Sequence, residues 1–90
     1  MTVASNFRPE RAFDVQTSTI DRDLYVVRGT DAFLFGEVEA RIWNLCDASN
    51  SIADIATHVA DVFRVEESLA VDDVSEFVGQ LMEAGLVEEA

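Results

Sequence analysis

Phe35 to Asp47, FGEVEARIWNLCD, decides the fold. It reads as the end of a strand passing through a glycine into a short amphipathic helix. Val38, Ile42, Leu45 and Cys46 fall at i, i+4, i+7 and i+8, which is one face of a helix. Gly36 suits the N-cap, and Glu37 and Glu39 sit at the positive end of the helix dipole. Asp47 to Asn50 breaks the helix, with Asp47 free to bond loop amides.

Upstream of this stretch the pattern is that of strands. Phe13 to Ile20 (FDVQTSTI) is rich in Val, Thr and Ile, and Leu24 to Arg28 (LYVVR) follows a turn at Asp21-Arg22-Asp23. Gly29-Thr30-Asp31 turns the chain into a third strand, Ala32 to Phe35. Such short connections imply an antiparallel meander. Residues 1–11, with Pro9 the only proline, read as a flexible N-terminal arm before a domain spanning 12–90.

Downstream, Ser51 caps a second helix, with Asp54 at capping-box spacing and Ile52, Ile55, Ala56, Val59 and Phe63 as its buried stripe. A third helix runs from about Leu69 to Ala84, with Val74, Phe77, Val78 and Leu81 inward. Gly85 fits the left-handed position past its end, and Leu86 can pack back on it. Val71, Val78 and Met82 widen the stripe, so either the whole width packs on the sheet or one flank is left for a partner. The class is therefore α+β: a three-stranded antiparallel sheet followed by three helices.

Composition narrows the function. The 90 residues carry 18 acidic side chains against 6 arginines and no lysine, for a net charge of −12. Phosphate binding rests on Lys/Arg neutralisation, so a nucleic-acid partner is not expected. A winged-helix regulator would need basic residues on its later helices, and residues 51–87 hold only Arg64. The acidity leaves room for a subunit that meets a cationic protein, or simply confers solubility. No apolar run approaches the roughly 20 residues of a membrane span, and no signal-peptide pattern opens the chain, so a cytoplasmic protein without membrane contact is expected. A lone cysteine, Cys46, excludes an internal disulfide and reads as a small core residue. His58 reads as exposed, Trp43 as resting on the sheet or marking an interface. No phosphate loop, nucleophile motif or metal-ligand spacing is present, so neither catalysis nor a cofactor is expected.

The order of these features resembles the PqqD-like family, the recognition elements of ribosomally made, modified peptides. The likeness rests on strands before helices, Leu45-Cys46-Asp47 closing the first helix and Ser51-Ile52-Ala53-Asp54-Ile55-Ala56 opening the second. Asp73-Val74, Phe77-Val78, Leu81 and Gly85-Leu86 complete it. Two positions depart from the pattern. The family usually has Leu-Asn where this chain has Phe35-Gly36, and glycine where it has Ala48.

The resemblance implies a winged helix-turn-helix-like module without chemistry of its own. Such a module holds the leader of a precursor peptide and presents it to a modifying enzyme, either a radical SAM enzyme or a leader peptidase. It also implies that the guest adds a strand to Asp31, Ala32, Phe33, Leu34 and Phe35, with the third helix as the groove wall. Val71, Asp72, Val74, Ser75 and Val78 are the helix positions expected to face the guest, with Asp72 and Asp73 available to a leader Lys or Arg. An exposed sheet edge also leaves a homodimer open.

Overall fold

The computed structural model describes residues 2–90. In chain order the elements are β1 (Pro9–Arg11), β2 (Gln16–Ile20), β3 (Asp23–Arg28), β4 (Asp31–Phe35), α1 (Glu37–Leu45), α2 (Ile52–Phe63), α3 (Glu67–Glu83) and β5 (Val87–Glu89). The expected antiparallel sheet is present in the order β2-β3-β4, so β3 is central and β4 is an edge. The expected first strand is shorter than read. Phe13 lies outside it and is 97% exposed, and β2 itself, QTSTI, is exposed throughout.

Local chemistry explains the helix ends. Gly36 is the N-cap of α1. Ser51 Oγ accepts from Asp54 N at 3.1 Å while Asp54 Oδ2 accepts from Ser51 N at 3.0 Å, a reciprocal capping box on α2. Past α3, Gly85 has φ +76, its N–H donates to Met82 O, and Leu86 N donates to Leu81 O at 2.9 Å. These paired bonds satisfy the last carbonyls of α3 and turn the fully buried Leu86 back under it.

Hydrogen bonding from the Ser51 backbone and side chain holds the Asp54 carboxyl below the ordinary 3.8. A lowered carboxyl stabilises the fold above its unfolded value and loses that contribution as pH falls through the folded one. Ser51→Ala is expected to cost about 1 kcal/mol in urea unfolding at neutral pH. Only the part carried by the Ser51 side chain acting on the Asp54 carboxylate should fade as pH falls below 3.8; the bond from Asp54 N–H to Ser51 Oγ persists.

The first helix faces the core differently from its predicted stripe. Ile42, Trp43 and Cys46 are buried, whereas Val38 is exposed. Trp43 is a core residue, 2% exposed, packed edge-to-face on Phe35 with centroids 5.9 Å apart. The helix is rotated so that its largest apolar surface, the indole, meets the sheet. His58, expected exposed, is half-buried, and its Nε2 is shielded without a hydrogen-bond partner.

A second, two-stranded sheet was not legible in the sequence. β1 pairs antiparallel with β5, Pro9 opposite Glu89. The segment after α1 runs along the other side of β1: Arg11 N donates to Cys46 O at 3.1 Å and Ala48 N to Pro9 O at 3.0 Å. Arg11 Nη1 also donates to the Trp43 and Asn44 carbonyls, both at 2.9 Å, capping a helix that has no basic residue in its own last turn. Residues 2–11, read as a loose arm, are tied to the body in the structure. Ile52 N donates to Phe7 O, Ala53 N to Ser5 O and Val3 N to Ser75 Oγ.

Ala48 turns away from this ladder with φ +73, a left-handed conformation that L side chains disfavour. Glycine adopts this conformation without that penalty. Ala48→Gly is expected to raise stability by about 0.5–1 kcal/mol, seen as a thermal midpoint a few degrees higher.

Candidate functional site

The site is built on the β4 edge. Gly29, φ +61, and Thr30 join Arg28 to Asp31 in a tight turn, and opposed residues then alternate between bonded and non-bonded pairs. Counting from the turn, Arg28·Asp31, Val26·Phe33 and Leu24·Phe35 exchange bonds. The N–H and C=O groups of Ala32 and Leu34 therefore point away from β3, toward the open edge. No hydrogen bond reaches either group among the described residues. The pleat sends Phe33 and Phe35 to the core side and leaves Leu34, 58% exposed, on the outer face.

A groove of about 680 Å³ lies along this edge, a size typical of ligand sites. One side is Ala32 to Gly36. The other is the second half of α3, through Phe77, Gln80, Leu81 and Ala84, with Leu86 at its base. Phe77 meets Phe35 edge-to-face, centroids 5.4 Å apart, so an aromatic row runs from α1 through β4 to α3. Asp23 and Glu39 complete the lining.

The five strand positions singled out from the sequence lie together on this edge, and all but Asp31 line the groove. The five helix positions do not line it. Val74 and Val78 are fully buried and Ser75 is nearly so, its hydroxyl bonded to the backbone of Val3. Val71 is half-buried against the core and Asp72 is exposed. The physical reason is the packing of α3: its most continuous valine stripe is taken by the protein's own core. The groove is left to the adjacent face at 77, 80, 81 and 84, an i, i+3, i+4, i+7 set visible in the sequence as a second helical face.

Cys46 offers no chemistry here. Burial pushes its thiol up to about 12, and Sγ donates to Ile42 O. Asp47 bonds the Ser49 amide and hydroxyl and the Asn50 amide, which holds its carboxyl low and orders the turn before α2. No group of three or more metal-ligating side chains comes together among the described residues. None of their helices is long and apolar enough to cross a membrane.

The sequence profile of the family described as Coenzyme PQQ synthesis protein D (PqqD) matches residues 24–87, most of the chain. The protein belongs to the PqqD family. That match begins in β3 and ends in β5, so it contains the edge strand and both walls of the groove. A comparison with curated proteins finds no match. Among solved structures the chain is similar to TbiB1 in complex with the TbiA(beta) leader peptide. The TM-score is 0.78 at 20% identity, over 88% of this chain and 94% of that one. It is also similar to lasso peptide synthetase B1 complexed with the leader peptide. Here the TM-score is 0.80 at 19% identity, over 90% of this chain and 98% of that one. At these identities the likeness is one of fold.

Proposed function

We propose that this PqqD-family protein is a non-catalytic binding module that captures the leader of a ribosomally made precursor peptide and hands it to a modifying enzyme. The observation that carries this reading is the open β4 edge, with the Ala32 and Leu34 backbone groups unpaired above an apolar groove. An extended peptide can add there as a fourth strand, its main chain bonded to Ala32 and Leu34 and alternate side chains lowered toward Phe77, Leu81 and Ala84. Both structural neighbours were solved with a leader peptide, which supports leader capture by a chain of this fold. Asp31 to Phe35 then form the strand side of the site. Phe77, Gln80, Leu81 and Ala84 form the helix side, with Val74, Ser75 and Val78 behind them. The enzyme served would be of the radical SAM or leader-peptidase kind that the family resemblance implies.

The test is an NMR titration of the labelled protein with a synthetic leader from the precursor peptide encoded nearest to it. Saturable binding is expected, with the largest amide shifts at Ala32, Leu34 and the 77–84 face. Saturation on another surface, or no binding by a folded protein, would reject this use of the groove.

A further inference from the structure

The groove is apolar along its length and acidic at one end. Asp23 immediately precedes Leu24, which pairs with Phe35, so it stands at the Gly36 end of β4. Glu39, in the first turn of α1, lays its carboxylate over the same point: a Cβ on Gly36 would lie 2.9 Å from Glu39 Oε1. Glycine at 36 leaves room for the carboxylate to lie over the strand end.

Asp23 and Glu39 both line the groove, and no arginine does. Neither carboxylate has an ion-pair partner among the described residues. The arginines closest in the chain, Arg22 beside Asp23 and Arg41 two residues past Glu39, line a separate pocket with Glu37 and Asn44 rather than this groove. A guest strand laid on β4 therefore passes from an aromatic wall to two unpaired negative charges beside low-dielectric surface. An unpaired carboxylate there attracts a cation and repels an acidic side chain.

We propose that Asp23 and Glu39 set guest specificity by selecting peptides with a lysine or arginine at the end lying over Gly36, next to the apolar residue seated against Phe77 and Leu81. The proposal rests on the peptide-groove reading above and adds the chemical class of the guest. Complementary charge of this kind acts chiefly on discrimination between partners.

The experiment is selection of an mRNA-displayed random peptide library on the full chain, on Asp23→Asn/Glu39→Gln, and on Phe33→Asp, each checked for folding by circular dichroism. The wild-type protein is expected to enrich peptides with apolar anchors and a Lys or Arg at a fixed offset. The double variant should keep the anchors and lose the basic preference. By fluorescence polarisation, the best enriched peptide should bind the wild type about fivefold more tightly than its Lys→Gln counterpart. That ratio should fall to one on the double variant. Apolar peptides enriched with equal basic content on both proteins would overturn the charge proposal and leave the groove standing. No enrichment on the folded wild type, or peptides that bind Phe33→Asp equally well, would remove the groove reading and the proposal with it.

Discussion

Leu34→Pro is expected to abolish peptide capture in a protein that still folds. Leu34 directs its N–H away from β3, so proline removes no ladder bond from the sheet, and edge positions of this kind tolerate it. What it removes is a donor that a guest strand needs, and its ring obstructs the edge. Binding of the leader peptide should weaken by about a hundredfold, since a main-chain bond is lost and the ring blocks the approach that sets the register. Phe33→Pro, one residue earlier, is the informative contrast. The Phe33 N–H points into the ladder with Val26, so this change removes a ladder bond along with the core-facing ring and should unfold much of the protein. Circular dichroism and fluorescence polarisation on the two variants separate loss of binding from loss of fold. Equal peptide affinity in wild type and Leu34→Pro would show that the guest does not use this edge.

Trp43→Ala should have the largest effect on stability. The indole is sealed between α1 and the sheet and is the partner of the Phe35 ring. Truncation removes its transfer energy and leaves a cavity, for about 3–5 kcal/mol. Domains hold only about 5–15 kcal/mol in total, and a small chain is expected near the low end. Urea unfolding followed by circular dichroism should therefore show a midpoint near zero denaturant. Trp43→Phe keeps an aromatic ring and should lose roughly half as much. Phe35 touches both Trp43 and Phe77, so even the milder variant should weaken peptide binding by loosening the groove wall.

The parts of this fold that were legible in the sequence are those fixed within one turn of chain. Ser51 with Asp54, and Gly85 with Leu86, announce helix ends because their bonds close locally. The third strand was legible for the same reason, since Gly29 marks the turn before it, but that it forms the edge came only from the family resemblance. The α3 side of the groove was not. Periodicity shows that a face is apolar but not what covers it, and the valine stripe that looked available is packed in the core. Trp43 was open between two roles because a helix of this length tolerates rotation by one residue, which moved the indole inward and Val38 outward. β1 and β5 were missed because each has three residues and they lie at opposite ends of the chain, with no turn to link them.

That terminal ladder bears on how such a module can be joined to other proteins. Ala90 N donates to Arg8 O at 2.9 Å, so the last residues are held on a sheet separate from the one that carries the β4 edge. A partner fused after β5 is therefore attached on the other sheet and leaves the β4 edge clear. Evolution, or an engineer, could fuse the module to an enzyme or leave it free-standing, and the two versions would differ in the local concentration of the captured peptide rather than in the contacts that capture it.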